Sequence, residues 1–471
     1  YEIGVRLVGS EMCIRDRKLT RHQRRDKMRV IIIGGVAAGM SAAAKLKRIK
    51  PEYEVVVYEK TEIVSFGACG LPYFVGGFFN DADELLARTP EKLREAGIDL
   101  NIFREVVEVD SESKKIKVKN IKTDEIYEDY YDKLMIATGA RSIMPPIKNI
   151  KLKNVSTLKS LYDGEYLKKL LSNEDNKRVT IIGAGFIGLE AVEACKKLGK
   201  DVDVIQLEDR ILPQVFDKEM TDVLEEEINR HNVNLHLDEM VVELCGEDKV
   251  EKVITNKGEI DTDVVIIATG VRPNTEFLSN TNIKMLKNGA IVVDEYGRTS
   301  VEDIYSAGDC ATIKNIVSNE NVYVPLATGA NKLGRIVGEN LAGREVSYQG
   351  SLSSSCIKIM DMEAASTGIT ERQAKDLGIN VKSKFISDYN QTHYYPGRNK
   401  IYVKLIYDAD TKVILGGQVA GFKDAVQRAN VLAAAIFGKM TTSQLGMLDL
   451  CYAPPFARTW DVLNVAGNVS K

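Results

Sequence analysis

Cys69 sits in the stretch Ser65-Phe66-Gly67-Ala68-Cys69-Gly70-Leu71-Pro72-Tyr73 with no second cysteine close by. A structural disulfide or a C-x-x-C redox pair needs a partner, so a lone thiol here is either an inert, buried side chain or a nucleophile. Its neighbours favour the nucleophile. Gly67 and Gly70 allow another group to approach closely, and the segment reads as the start of a helix. Unpaired N–H groups at a helix N-terminus lower a thiol pKa, and the thiolate is the reactive form.

Three further motifs carry chemistry. Gly34-Gly35-Val36-Ala37-Ala38-Gly39 is a loose G-x-G-x-x-G turn with Val36 at its third position, and Glu59 follows 25 residues after Gly34. Such a turn aims backbone N–H groups at a pyrophosphate, and a carboxylate at the next strand end accepts from ribose hydroxyls. Gly183-Ala184-Gly185-Phe186-Ile187-Gly188 is a full match followed by Glu190, with Gln206 at the next strand end and then Glu208, Asp209 and Arg210. A carboxylate at position 206 would argue for NAD and nearby arginines for NADP; Gln206 gives neither signature. In Ala307-Gly308-Asp309, the aspartate is placed to accept a hydrogen bond from a ribityl hydroxyl, or simply to cap a turn. A helix from about Pro325 can point its N-terminal dipole at the pyrimidine end of a flavin.

The elements that position these residues are legible from apolar runs. Arg29–Ile33 and Tyr53–Lys60 read as buried parallel strands joined through the first glycine turn and an alanine-rich helix. Arg178–Leu212 repeats that design. Lys133–Ala140 and Val264–Asn274 are also alike, each a strand ending in Ala-Thr-Gly, which places Thr138, Gly139 and Gly270 beside the two turns. After about residue 345 the texture changes to a hairpin around Asp408–Thr411 and an alanine-rich helix from Asp424. The fold class expected is α/β, with two Rossmann-like nucleotide-binding domains and a C-terminal α+β domain. The expected boundaries are 28–146 with 271–345, then 147–270, then 346–471.

The chain has 471 residues, 44% apolar and 28% charged, with a net charge of −3. This balance gives no reason to expect nucleic-acid or membrane partners, and no apolar run reaches the ~18 residues of a spanning helix. Seven scattered cysteines and four unclustered histidines fit a reducing cytoplasm and lack metal-ligand spacing. Residues 1–27 are basic and aperiodic. They read as an artefactual or disordered extension, with Leu7–Arg17 similar to a translated adapter string and Met28 as the expected start. A transit peptide and a nucleic-acid arm are the alternatives.

Over residues 28–471 the motifs together resemble the FAD-dependent pyridine nucleotide–disulfide reductases. Around Cys69 they resemble the single-cysteine branch, which contains coenzyme A disulfide reductases, NADH oxidases and NADH peroxidases. Two-cysteine relatives carry C-x4-C, whereas Val64 and Phe74 stand five residues either side of Cys69. The resemblance implies FAD held by Gly34, Gly35, Ala38, Gly39, Glu59, Thr138, Gly139, Gly308 and Asp309. It implies NAD(P)H held by Gly183, Gly185, Gly188, Glu190, Gln206 and Gly270. It implies a homodimer whose partner subunit brings Tyr394 (or Tyr395) and Tyr452 to Cys69 as catalytic groups, with Ser41, Lys45, Arg48 and Ser65 binding substrate. Oxidases and peroxidases of the branch carry a histidine in the first glycine turn, where this sequence has Ala37; that favours coenzyme A disulfide. Reduction of oxygen or peroxide through a Cys69 sulfenic acid, reduction of a coenzyme A persulfide or polysulfide, and a flavin-bound redox sensor are the other readings. Ala68 departs from the pattern, where an asparagine is common, as does Ala457-Arg458-Thr459-Trp460, where a lysine can contact substrate, and the chain is expected to lack the rhodanese domain that some relatives append.

Overall fold

The structure, a computed structural model, describes residues 27–471. Lys27 apart, the expected N-terminal extension lies outside the described residues. The strand Arg29–Ile33, apolar from Val30 on, is buried along its whole length. It pairs in parallel with Glu54–Tyr58 on one side and Lys133–Ile136 on the other. Ile304–Ser306 and Asp99–Asn101 close the two edges of this five-stranded sheet. The second sheet repeats the plan, with Arg178–Ile182 between Asp201–Ile205 and Val264–Ile267, and Val233–His236 and Val155–Thr157 outside them. In both sheets the central strand is covered on two faces, which is why Val30–Ile33 and Val179–Ile182 are buried at every position without alternation.

The glycine turns make these units compact. Gly34 has φ +108°, and a Cβ there would lie 2.2 Å from the carbonyl oxygen of Ala137; at Gly183 (φ +107°) it would lie 2.5 Å from that of Ala268. Each turn therefore rests on the end of the Ala-Thr-Gly strand, which is the physical reason that the tripeptide recurs. The first helix, Ala37–Ile49, packs on the helix Ala327–Leu341 through a seam of small residues. A Cβ at Gly334 or Gly338 would come within 2.6 Å of the carbonyl oxygens of Ala38 and Ala42. That helix starts two residues after the expected Pro325.

The C-terminal region forms an antiparallel sheet in the order Ser355–Ile359, Met362–Gly368, Ile414–Gly421, Lys400–Asp408 and Val381–Tyr389. Its core takes in the helices Ala425–Phe437 and Val462–Val469. Buried charge ties this sheet to the second nucleotide unit. Lys404, 2% exposed, lies 2.8 Å from Glu219, 2.9 Å from Glu371 and 3.5 Å from Asp217. Glu227, His231 and Asp361 also converge, but Arg230 Nη2 sits 2.9 Å from Glu227 and 3.0 Å from Asp361, so the group is an ion-pair clasp. Among the described residues no helix is long and apolar enough to cross a membrane.

A buried ammonium is tolerable only while paired. Although partial burial works the other way, hydrogen bonds from Lys375, Lys404 and Ser383 hold the Glu371 carboxyl down at about 2. Glu371 therefore contributes stability above the ordinary glutamate range and loses it as pH falls towards 2. Lys404→Met is expected to cost about 3 kcal/mol near neutrality, because it removes the cation shared by Asp217, Glu219 and Glu371 and leaves only Glu371 another, Lys375. Thermal melts across pH should show the deficit shrinking towards pH 2.

Candidate active site

In the first unit, Glu59 is buried and points back into the turn. Its Oε2 accepts from the Gly35 N–H at 2.8 Å, and its Oε1 accepts from the Thr61 N–H and hydroxyl, each at 3.0 Å. The second unit reproduces this contact with a neutral side chain: Gln206 Oε1 accepts from the Ala184 N–H at 2.7 Å. The Gln206 amide then donates to Glu208, which is exposed at the strand end. Gln206 thus takes the turn-holding role of Glu59, and the carboxylate moves two residues along to Glu208. Arg210 is turned onto Asp209 at 2.9 Å. A Cβ at Gly185, where the helix Phe186–Lys197 begins, would meet nothing within 4 Å. That open, N–H-lined space suits a pyrophosphate.

Cys69 is placed by the first turn. Ser65, in the left-handed region at φ +51°, donates its N–H to Gly35 O at 2.9 Å and accepts from the Ala87 N–H at 2.9 Å. Gly67 donates to Leu85 O at 2.8 Å, and a Cβ at Gly70 would lie 2.3 Å from the Leu85 side chain. The cysteine therefore sits on a short bridge pinned between the turn and residues 85–87.

The expected helix start is much weaker than the sequence implies. Cys69 lies in a single 3₁₀ turn, Ala68–Gly70, ahead of the five-residue helix Leu71–Val75. The expected lowering of its pKa is reversed. The thiol is exposed in the single chain, yet the protein crowding its inner side raises its pKa; the Glu190 carboxylate raises it further and Asp309 adds to this, while Lys159 opposes. Glu190 is itself pushed up to about 7 by burial and then by Glu193. One cluster therefore joins Cys69 and Asp309 from the first unit to Lys159 and Glu190 from the second.

Other anticipated residues fall out differently. Asp309 Oδ2 accepts from Lys159 Nζ at 3.1 Å, and the Tyr323 hydroxyl donates to Asp309 O at 3.1 Å. Gly308 (φ +87°) rests on the first helix, where a Cβ would lie 3.0 Å from Ala38. The Thr138 hydroxyl donates to Asn274 O at 2.7 Å, and the Asn274 amide returns to Thr138 O at 3.0 Å. Thr138 thus clasps the two crossover segments together, and its hydroxyl is committed to that bond. Gly139 (φ +64°) and Gly270 (φ +105°) take left-handed turns beside it. Lys45 pairs with Glu339 at 3.0 Å and Ser41 with Asn331 at 2.9 Å, so both face the neighbouring helix; Arg48 remains exposed.

Tyr394 and Tyr452, 58 residues apart in the chain, bring their hydroxyls within 3.3 Å on an exposed tip of the C-terminal region. Tyr395 is exposed beside them, and Phe437, Met447, Phe456 and Trp460 are at least half exposed in the same region. Lys159 had no signal in the sequence: it is an isolated basic residue that only the packing of the two units brings to Asp309 and the cysteine.

The sequence profile of the Pyridine nucleotide-disulphide oxidoreductase family matches residues 28–332, and that of its dimerisation domain matches residues 354–462. An NAD(P)H coenzyme A polysulfide/persulfide reductase of Pyrococcus horikoshii is 41% identical over 446 residues, 94% of this chain and 99% of that protein. An NADH oxidase of Enterococcus faecalis is 37% identical over 440 residues, covering 93% and 98%. Among solved structures, an NAD-dependent persulfide reductase from A. fulgidus superposes with a TM-score of 0.90 at 36% identity, over 94% of this chain and 83% of that one.

The charge pattern at Cys69 has a direct test. Glu190→Gln removes a negative neighbour and is expected to lower the thiol pKa; Lys159→Met should raise it. The pH profile of iodoacetamide labelling, read on the Cys69 peptide by mass spectrometry, should move in opposite directions for the two variants.

Proposed function

The chain belongs to the pyridine nucleotide-disulphide oxidoreductases, and from that premise we propose that it reduces a sulfur–sulfur bond of a coenzyme A substrate at Cys69. At the coarser level it is an FAD-dependent NAD(P)H oxidoreductase of the group containing coenzyme A disulfide reductases, persulfide reductases and NADH oxidases. The observation that carries the finer reading is the meeting of the Tyr394 and Tyr452 hydroxyls at 3.3 Å on an exposed surface. Two phenols held together are equipped to orient and protonate a departing thiolate.

The first unit would hold FAD through the Gly34–Gly39 turn, Glu59, Gly139 and Asp309, and the second would hold NAD(P)H through the Gly183–Gly188 turn and Glu208. The residues fit: each turn opens a helix whose first N–H groups can face a pyrophosphate, and in the second turn a side chain is missing at Gly185 where the pyrophosphate must approach. When bound, FAD supplies two electrons, taken from NAD(P)H, to the sulfur at Cys69.

The chain's own part is thiol chemistry. The Cys69 thiolate attacks one sulfur of the substrate, forming a Cys69–S bond as the substrate S–S bond breaks. The leaving sulfur takes a proton at Tyr394 or Tyr452, supplied by the partner subunit through the matched dimerisation domain. Lys159, and Glu190 in its protonated form, favour the thiolate. In balance, NAD(P)H, one proton and one coenzyme A disulfide give NAD(P)⁺ and two coenzyme A thiols. A coenzyme A persulfide gives one thiol and hydrogen sulfide, and the name of the Pyrococcus relative favours this second acceptor. Ala37 supplies no ionisable group at the turn for peroxide chemistry.

Cys69→Ser should lower NAD(P)H consumption with either coenzyme A acceptor by about 10³-fold or more while keeping the bound-flavin spectrum. An enzyme that still reduces coenzyme A disulfide without this thiol would sink the reading. The Glu208 carboxylate at the strand end should also disfavour a 2′-phosphate. NADH is therefore expected to exceed NADPH in kcat/KM by about tenfold or more, with Glu208→Arg narrowing the ratio; that factor corresponds to only about 1.4 kcal/mol.

A further inference from the structure

We propose that Arg428 is a positioning residue that sets the two tyrosine-bearing loops in register. This rests on the reading that Tyr394 and Tyr452 meet the substrate. Tyr394 stands in the connection 390–399 between two strands of the C-terminal sheet, and Tyr452 in the segment 451–460 ahead of the helix Val462–Val469.

Both loops are anchored on one guanidinium. Arg428 projects from the first turn of the helix Ala425–Phe437, and the side chains of Arg428 and Asp461 are 10% and 8% exposed. Arg428 Nη2 donates to Asp461 Oδ2 at 2.7 Å, to Asn390 O at 3.1 Å and to Phe456 O at 3.3 Å. Its Nε reaches Asp461 Oδ1 and Oδ2 at 3.2 and 3.0 Å, and its Nη1 reaches Asp424 O at 3.5 Å. The two captured loop carbonyls stand four residues before Tyr394 and four residues after Tyr452.

The counter-charge is itself fixed. Asp461 caps the helix Val462–Val469, its Oδ1 accepting from the Leu463 N–H at 3.0 Å and its own N–H donating to Asn464 at 3.2 Å. Nearer the tyrosines, the Thr392 hydroxyl donates to Pro454 O at 3.2 Å. The chain of contacts therefore runs from a buried ion pair through two backbone carbonyls to two hydroxyls. A planar guanidinium can serve a carboxylate and both carbonyls at once, whereas a lysine ammonium is a point charge on a longer lever. The burial of the charge is tolerable because these acceptors satisfy it.

The test uses the holoenzyme with coenzyme A disulfide as the probe. Arg428→Lys should keep the dimer and the flavin spectrum, and stopped-flow reduction by NADH should stay within twofold of wild type. Reoxidation of the reduced enzyme by the probe should slow tenfold or more. Hydrogen–deuterium exchange, which needs no substrate, should rise in 390–399 and 451–460 together. In a Tyr394→Phe/Tyr452→Phe background, Arg428→Lys should cause no further slowing. Slowing that multiplies in that background, or exchange unchanged in both loops, overturns the positioning role alone. A double phenylalanine variant that reoxidises at the wild-type rate overturns the tyrosine reading and this inference with it. Asp461→Asn, which keeps the shape of the cap and removes the charge, should repeat the Arg428→Lys pattern if the latter protein folds poorly.

Discussion

The site depends on one close contact between backbones, the approach of Gly34 to the carbonyl of Ala137. A Cβ at position 34 would stand 2.2 Å from that oxygen, so the turn can lie against the neighbouring strand only because the side chain is absent. Gly35 then offers its N–H to Glu59 and its carbonyl to the Ser65 N–H. Cys69 is four residues further on. The position of the thiol is thus inherited from the nucleotide turn, and a molecule seated on that turn is close to the thiol by construction.

The second unit repeats the geometry and changes its charge. Glu59 and Gln206 make the same bond to the second residue of their turns, at 2.8 and 2.7 Å. That bond needs only an oxygen acceptor, so a glutamine serves as well as a glutamate. What the substitution alters is the strand end, where negative charge moves to the exposed Glu208. From the helix of the same unit, Glu190 reaches towards Cys69 with a carboxyl pushed up to about 7. The charge felt by the thiol at the meeting of the two units therefore changes with the protonation of Glu190.

The glycine turns, the parallel strands and the partnerless cysteine were legible in the sequence because each is a local pattern with a single physical cause. The family resemblance added the tyrosine pair, whose members lie 58 residues apart and share no local signal. What the sequence could not show are the contacts between elements. Thr138 follows a strand that ends at the cradle, but its hydroxyl is committed to Asn274. Lys45 looks like a phosphate ligand on a helix face, but that face is covered by the helix Ala327–Leu341, where Glu339 takes the charge. At Cys69 the sequence revealed a helix start, but not its five-residue length or the Glu190 carboxylate that raises the thiol pKa. Lys159 and Arg428 are single basic residues in unremarkable segments, and only the tertiary fold gives them partners.

The C-terminal region shows why a single-cysteine site needs more than its own loop. When the second sulfur comes with the substrate, the protein must handle a departing thiolate without a second cysteine to accept it. A proton donor fixed in space is the remaining option, and phenols on two flexible connections would be poorly placed for it. Here the connections converge at their bases on the Arg428–Asp461 pair and at their tips on the Thr392–Pro454 and Tyr394–Tyr452 contacts. The same region is bound to the second nucleotide unit by Lys404 and the Arg230 clasp. The tyrosine platform is thus carried on a body that also holds the nicotinamide unit. Displacing one against the other would have to pull the buried Lys404 ammonium away from Asp217 and Glu219.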